Sequence, residues 1–171
     1  MDSGVATRPI QDFSAYRQKL SEFVYNSAFM MKPIFAQAKT APKRIAYAEG
    51  EDLRVLRAVQ IAVDEGLAFP NLVGRTAVIE ANIKKLGLRL EHGVNIEIVD
   101  QENNPHYEQF ADDYYQTMQR KGVTPEYAHR EARRRSTLIA AMLVKHGHAD
   151  GMLCGTYSSY DIHLDFVKNV I

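Results

Sequence analysis

The segment Lys43–Ala58 constrains the fold of this chain more than any other part of its sequence. A short apolar run ends at Ala48, an acidic turn containing Gly50 follows, and a helical pattern of apolar residues begins at once. Parallel α/β sheets join a strand to a helix in this way. Because ligands of such sheets collect at the carboxyl ends of the strands, the turn after Ala48 is also a candidate site.

The same alternation of strand and helix continues along the chain. The periodicity of apolar residues predicts four strands, at 44–48, 71–73, 95–99 and 149–154. Helices are expected over 51–66, 76–86 and 107–122, from 124 onward, over 138–145 and from 160 onward. Strands that alternate with helices imply right-handed crossovers, so we expect a three-layer α/β/α domain with a mainly parallel sheet.

The first 42 residues carry a different pattern. Residues 1–10 are small and polar and indicate a flexible leader. Two helices are expected next, one capped by Asp12 and extending to Val24, and one running from about Met30 with Pro33 in its first turn. We therefore divide the chain into a leader and helical connector, 1–42, and an α/β domain, 43–171. The helical pattern continues to the last residue without a stop signal, which predicts an incomplete domain.

The amino-acid composition argues against some classes of binding partner. Lys plus Arg and Asp plus Glu each number 21, so a nucleic-acid or membrane-surface partner is not favoured. No apolar run approaches the roughly 20 residues that span a bilayer. With one cysteine and no signal-peptide pattern, we expect a cytoplasmic protein. Cys154 lies in an apolar run and is predicted to be a buried small hydrophobe.

The acidic turn itself, Glu49-Gly50-Glu51-Asp52, allows two interpretations. Its carboxylates would face a cleft at a strand end, or Gly50 would permit a tight turn while Glu51 and Asp52 complement the positive end of the next helix. Residue chemistry favours the structural interpretation. Three carboxylates would repel phosphate, and no glycine-rich phosphate loop is present.

A second candidate is the loop that follows the last strand. Small and hydroxyl residues there would leave backbone N–H groups available as a cradle for a phosphate or a carbonyl. The candidate ligand-binding residues are Gly155, Thr156, Ser158 and Ser159. The alternative is a connecting loop in which Ser158 or Ser159 caps the final helix.

Other polar clusters carry weaker signals. Arg130, Arg133 and Arg134 share one helical face, either as an anion site or as a solvated face paired to acidic residues. His146 and His148 are close in sequence, but no cysteine or acidic residue completes a metal set, so no metal site is predicted.

Four segments resemble the phosphate acetyl/butyryl transferase family. They read RIAYAEGEDLRVLRA, PNLVGR, RKGVT and GHADGMLCG and begin at residues 44, 70, 120 and 147. The resemblance covers residues 43–171 and implies a phosphotransacetylase-like α/β domain, of which this chain would hold the first part.

The helical lead-in at Tyr16–Tyr25 and Met31–Phe35 resembles the connector of the large bacterial NADP-dependent malic enzymes. This resemblance implies a regulatory, oligomerising region that senses acetyl-CoA, in a parent that converts malate to pyruvate with NADP and a divalent metal, Mg or Mn. It implies neither a cofactor nor a catalytic residue within these 171 residues.

Aligned on the family, Tyr160 and Asp165 fall where active phosphotransacetylases carry a threonine and an arginine. An aspartate in place of the arginine would repel phosphate, so the resemblance predicts a region without acetyltransferase activity. Two alternatives stay open: an active phosphate acetyltransferase, and an interaction module that binds no ligand.

Overall fold

The computed structural model describes residues 12–17 and 31–171. Residues 13–17 are helical, and Asp12 accepts hydrogen bonds from the backbone N–H groups of Ser14 and Ala15. The elements that follow, in chain order, are α1 (Met31–Thr40), β1 (Lys43–Tyr47), α2 (Leu53–Asp64), β2 (Ala68–Gly74), α3 (Thr76–Leu86), β3 (Glu97–Asp100), α4 (Tyr107–Met118), a 3₁₀ turn (Gln119–Lys121), α5 (Pro125–Arg134), α6 (Ser136–Lys145), β4 (Gly151–Leu153) and α7 (Tyr160–Val170).

The four strands form one parallel sheet in the order β3-β2-β1-β4. Tyr47 at the end of β1 pairs with Leu72 of β2 and with Leu153 of β4, and Gly74 of β2 pairs with Asp100 of β3. The carboxyl ends of all four strands therefore lie at one edge of the sheet. The expected α/β fold with a mainly parallel sheet is confirmed.

Alternate residues of the strands supply two cores, one on each face of the sheet. Leu72 packs with the apolar residues of α2 and α3, including Leu56 and Ile79. Its neighbour Val73 packs on the opposite face with residues of α4 and α6, including Phe110 and Met142. Both faces of the sheet are covered, as the near-continuous apolar character of a parallel strand requires.

Local signals place several element ends. Gly87 ends α3 in the left-handed conformation, with φ of 63°. Thr124 caps α5, because its side chain accepts from the N–H of Tyr127, and Pro125 follows in the first helical turn.

The last strand is shorter and more exposed than predicted. β4 spans Gly151–Leu153 rather than 149–154, and just before it the side-chain carboxylate of Asp150 accepts the backbone N–H of Arg44 at 2.8 Å. Within the described residues β4 pairs with β1 alone, so it is an edge of the sheet. Leu153 is 56% exposed and Cys154 is exposed, so the prediction of a buried Cys154 was wrong.

The structure describes part of the segment 1–42, the predicted leader and helical connector. Helix α1 matches the second predicted helix, with Pro33 in its first turn, and none of its residues is buried. The predicted helix from Asp12 to Val24 lies outside the described residues beyond Arg17. The division at residue 42 stays a prediction. Over residues 12–17 and 31–171, no helix has the length and apolar character needed to cross a bilayer.

Candidate functional site

A cleft of about 460 Å³ lies at the carboxyl edge of the sheet. It opens where β1, β2 and β3 end, and the start of α6 and the loop after β4 form its other wall. Its lining residues are Ala48, Glu49, Glu51, Asp52, Val73, Arg75, Gln101, Arg134, Ser136 and Tyr157. This location agrees with the rule that open α/β sheets bind ligands beyond their strand ends.

Glu49 is the buried acid of this cleft, at 5% exposure. One of its oxygens accepts a hydrogen bond from the backbone N–H of Gly155 at 2.9 Å, and the same oxygen lies 4.0 Å from Nδ1 of His163. A buried carboxylate needs a donor such as the Gly155 N–H, because an unpaired charge in the interior is strongly unfavourable. Glu49 therefore joins the end of β1 to the loop after β4.

His163, on α7, holds the same loop from the other side. Its Nε2 lies 2.7 Å from the carbonyl oxygen of Tyr157 and its Nδ1 lies 2.8 Å from the hydroxyl of Thr137. Since a carbonyl can only accept, Nε2 of His163 must carry a proton. In the neutral ring Nδ1 is then the acceptor, and Thr137 donates to it.

The two other acids of the turn are paired with arginines. Glu51 accepts from the side chain of Arg75 at 2.8 and 2.9 Å and from its backbone N–H, and Arg75 holds the pKa of that carboxyl below its ordinary value. Glu51 therefore pairs with the residue that precedes α3 and not with the N-terminus of α2, which corrects that part of the structural interpretation.

Asp52 does cap a helix, as expected, by accepting the backbone N–H of Arg54 at 2.7 Å. The Arg54 guanidinium also binds this carboxylate and lowers its pKa to about 2. The same guanidinium donates to the carbonyl of Thr156 at 3.0 Å. Arg54 thus ties the loop after β4 to the start of α2.

Gly50 is required by a close approach to β2 and not by its backbone conformation. A Cβ at this position would lie 2.9 Å from the carbonyl oxygen of Val73. The N–H of Gly50 donates to that same oxygen at 3.0 Å. The tight contact brings the acidic turn against the end of β2.

The three arginines of α5 do not form one anion site. Arg133 lies over the ring of Tyr107 at 4.2 Å, and Arg130 lies 3.6 Å from Glu131. Arg134 lines the cleft, and its guanidinium makes no hydrogen bond or ion pair with any residue in the described part of the chain. Arg134 is therefore the cation that the cleft can offer to an anionic ligand.

The predicted loop residues are divided between two surfaces. Gly155 and Ser158 have positive φ values, 105° and 73°, and line a separate cavity of about 430 Å³ beside His163. The carbonyl of Thr156 is taken by Arg54, and Ser159 precedes α7 without a side-chain capping bond. Tyr157, which sequence reasoning did not select, is the loop residue that lines the strand-end cleft.

The two positions identified as departures lie away from that cleft. Tyr160 is exposed and lines the cavity beside His163, while Asp165 is exposed on the far side of α7 in a depression that also contains Arg135 and Phe166. The charge argument built on Asp165 receives no support from this geometry. The ligand-contact assignments themselves stay predictions.

Among the residues that the structure describes, no three His, Cys, Asp or Glu side chains are grouped so that they could hold a metal ion. Arg54 and His163 hold the loop and were not found from sequence, and neither was Thr137, which binds His163. Thr137 and His163 are 26 positions apart in the chain, so only the packing of α6 against α7 brings them together.

A comparison with known proteins identifies the family of this chain. The family model described as Phosphate acetyl/butaryl transferase matches residues 29–171. The chain belongs to this family. The resemblance to this family that the sequence predicted is thereby confirmed. The resemblance to NADP-dependent malic enzymes is confirmed as well.

The chain is similar to malic enzymes over nearly its whole length. The chain is 50% identical over 171 residues to the NADP-dependent malic enzyme of Haemophilus influenzae, and 51% identical over 170 residues to that of Escherichia coli. The matched stretch is the C-terminal region of those enzymes. The chain spans only 23% and 22% of their respective lengths, although 100% and 99% of the chain is covered.

Transferases of the family are more distant. The phosphate acetyltransferase of Thermoanaerobacterium thermosaccharolyticum is 30% identical over 126 residues, which cover 74% of this chain and 37% of that protein. The crystal structure of a phosphotransacetylase from Streptococcus pyogenes aligns with a TM-score of 0.71 at 26% identity, over 82% of this chain and 42% of that one.

Proposed function

We propose that this chain is the phosphotransacetylase-like region of an NADP-dependent malic enzyme, and that it regulates and assembles that enzyme rather than transferring acetyl groups. The observation that carries the proposal is the identity of 50–51% over nearly the whole chain with two NADP-dependent malic enzymes, against 30% over 126 residues with a phosphate acetyltransferase. The parent would oxidise malate to pyruvate with NADP and a divalent metal, at sites outside these residues.

Acetyl-CoA is the proposed effector, with the strand-end cleft as its site. The unpaired guanidinium of Arg134 would pair with a phosphate group of the coenzyme, because arginine matches phosphate oxygens in charge and geometry. From the loop, Tyr157 lines this cleft. Gly155, Thr156, Ser158 and Ser159 remain proposed ligand contacts, of which Gly155 and Ser158 would act from the separate cavity beside His163. A volume of about 460 Å³ lies within the range of small-molecule sites.

Electrostatics support binding more than catalysis. When an acetyl group passes from acetyl phosphate to the thiol of coenzyme A, the departing phosphate needs several cations around it. In this cleft Glu51 neutralises Arg75, Asp52 neutralises Arg54, and Glu49 adds a further acid. Arg134 alone is left unpaired among the described residues of the cleft. One free cation suits recognition of an anion better than stabilisation of a phosphate leaving group.

The experiment uses the complete product of the coding region that contains this chain. Calorimetry with acetyl-CoA is compared for the wild type, Arg134→Ala and Arg133→Ala, two neighbouring exposed arginines of one helix of which only Arg134 lines the cleft. Loss of a charge-assisted hydrogen bond should weaken binding about tenfold or more in the Arg134 variant. Equal loss in both variants, or no binding by the wild type, would contradict the proposed site.

An active phosphate acetyltransferase is the second candidate, favoured by the family match and by the free Arg134. Its test is formation of acetyl-CoA from acetyl phosphate and coenzyme A by the same complete protein. Turnover in the ordinary enzyme range, about 1 per second or faster, that Arg134→Ala abolishes would replace the regulatory proposal with the catalytic one. Calorimetry without any heat from acetyl-CoA would instead favour the interaction module.

A further inference from the structure

The depression on the far side of α7 has a volume of about 410 Å³, which is within the range of small-molecule sites. Side chains of α4, α5 and α7 line it, together with Lys121 and Arg135. It shares no lining residue with the strand-end cleft or with the cavity beside His163. A ligand of this depression would therefore be recognised by a different set of side chains.

Tyr114 of α4 brings an unpaired hydroxyl to the depression. The residue is 3% exposed, and its hydroxyl makes no hydrogen bond with any described residue. The hydroxyl oxygen still has accessible surface, because among the described residues Asn104 alone holds a fully buried polar side-chain atom without a partner. Since Tyr114 lines the depression, its hydroxyl opens there. Burial above all raises the pKa of Tyr114, so at neutral pH the hydroxyl keeps its proton and can donate.

Two cations of the lining have N–H groups that the chain does not use. Nε of Arg135 donates to Glu131 at 2.8 Å, and the terminal Nη groups make no hydrogen bond with a described residue. Nζ of Lys121 donates one of its three protons to Oδ1 of Asn169 at 2.8 Å. Both side chains can therefore donate to a ligand carboxylate, and the planar guanidinium matches its two oxygens.

Asp165 gives the lining a carboxylate as well. This side chain makes no hydrogen bond or ion pair with any residue of 12–17 or 31–171. Because Glu131 already offsets Arg135, the charges of Lys121 and Asp165 cancel and the site has no net charge. A ligand with only a negative charge would be repelled by Asp165, and one with only a positive charge by the two cations. The lining therefore suits a ligand that carries one charge of each sign.

The rest of the lining is largely apolar. Phe166 lies beside Tyr114, with 6.4 Å between the ring centroids, and Ile162 is 44% exposed. Met118 and Val123 also contribute to the surface of the depression. Covering such a surface with an apolar group is favourable by roughly 25 cal/mol for each Å² removed from water. The third requirement on the ligand is thus an apolar body.

We propose that this depression binds an apolar α-amino acid in its zwitterionic form. The ligand carboxylate accepts from the Tyr114 hydroxyl and from Arg135, and the ligand ammonium pairs with Asp165. The apolar side chain covers Ile162 and Phe166. The proposal does not depend on the proposed function of the strand-end cleft.

The test is a titration of the isotopically labelled 171-residue chain with L-phenylalanine, followed by NMR. Saturable shifts are expected for the Ile162 methyl groups and for the backbone amide of Asp165. Phenethylamine lacks the carboxylate and 3-phenylpropanoate lacks the ammonium, so each should bind about tenfold or more weakly. This comparison separates recognition of both charges from simple adsorption of an aromatic ring.

Two variants assign the contacts. Tyr114→Phe removes a hydroxyl that has no partner in the chain, so the urea midpoint should be unchanged while the affinity for L-phenylalanine falls about tenfold. Tyr115→Phe is the matched control, because Tyr115 does not line the depression, and its affinity should stay within about twofold. In Asp165→Asn the preference for L-phenylalanine over 3-phenylpropanoate should disappear, since the partner of the ammonium is lost.

Three results would overturn the proposal. L-phenylalanine could give no saturable shift, the two analogues could bind as tightly as the amino acid, or folded Tyr114→Phe could bind like the wild type. If Tyr114→Phe fails to fold, the exposed position of Asp165 provides the decisive variant. An undiminished preference for L-phenylalanine over 3-phenylpropanoate in Asp165→Asn would then contradict the proposed site.

Discussion

The carboxylate of Glu49 accepts the backbone N–H of Gly155 at 2.9 Å, which joins two residues 106 positions apart in the chain. Glu49 follows β1 and Gly155 follows β4, the adjacent strand in the sheet. The loop after β4 is thereby held at Gly155, while Arg54 holds the carbonyl of Thr156 and His163 holds that of Tyr157. Three consecutive loop residues are fixed by three different elements, so the wall of the cleft is preformed.

The effect of replacing Glu49 should depend on whether the new side chain still offers a hydrogen-bond acceptor to the N–H of Gly155. Glu49→Ala leaves the N–H of Gly155 without a partner, and the free energy of unfolding should fall by about 1–3 kcal/mol. Glu49→Gln keeps an oxygen acceptor and should cost about 1 kcal/mol or less. Urea unfolding of both variants measures the difference. Equal losses would show that the negative charge, and not the hydrogen bond, holds the loop.

Acidic pH should reduce the contribution of the Asp52 carboxylate to the free energy of unfolding. The folded pKa of this carboxyl is about 2 against an ordinary value of 3.8, because Arg54 binds the ionised form. The stabilisation is therefore fully present above the ordinary value and is lost as the pH falls toward the folded one.

Asp52→Asn isolates this charge, since asparagine also caps helices. The difference in unfolding free energy between wild type and variant should shrink between about pH 5 and pH 2. The measurement is a series of urea titrations across that range. A difference that is constant with pH would show that Asp52 acts only as a cap.

Gly50→Ala tests the close approach of the acidic turn to β2. The new Cβ would lie 2.9 Å from the carbonyl oxygen of Val73, a backbone atom that cannot move aside, so we expect a loss of about 1–3 kcal/mol. Gly151→Ala is the matched control, because its Cβ would meet Ile45 at an ordinary 3.5 Å. That variant should range from unchanged to about 1 kcal/mol more stable. Thermal or urea unfolding checks both, and an equally stable Gly50→Ala would disprove the contact.

The buried pair of Thr137 and His163 can be tested by removing one hydroxyl. Thr137→Val leaves Nδ1 of His163 without its donor and should cost about 1–3 kcal/mol, whereas Thr137→Ser should retain most of the stability. In the wild type, ¹⁵N chemical shifts of the ring should report a proton on Nε2. A ring that carries its only proton on Nδ1 would contradict the bond to the Tyr157 carbonyl.

Sequence periodicity predicted much of this fold because the signals involved are local. The strand–turn–helix at Lys43–Ala58, the left-handed Gly87 and the Thr124 cap each depend on residues a few positions apart. The exposure of Cys154 could not be predicted in the same way. It depends on which strands flank β4 in the sheet, which an apolar run of residues does not specify.

The site was harder to predict than the fold, for a geometric reason. His163 and Asp165 are two residues apart on α7, and successive helical residues turn by about 100°, so they project in nearly opposite directions. His163 faces the loop, while Asp165 lies in the depression on the other side. Position along a helix, without knowledge of its buried face, cannot assign a side chain to a cleft.

Malate-dependent reduction of NADP, measured with and without acetyl-CoA, is the most direct test of the regulatory proposal. It requires the complete product of the coding region that contains this chain, with Arg134→Ala as the variant and Arg133→Ala as its control. We predict that acetyl-CoA changes the rate in the wild type and the control, and that Arg134→Ala needs about tenfold more acetyl-CoA for the same change. A rate that is indifferent to acetyl-CoA in all three proteins would contradict the proposed role.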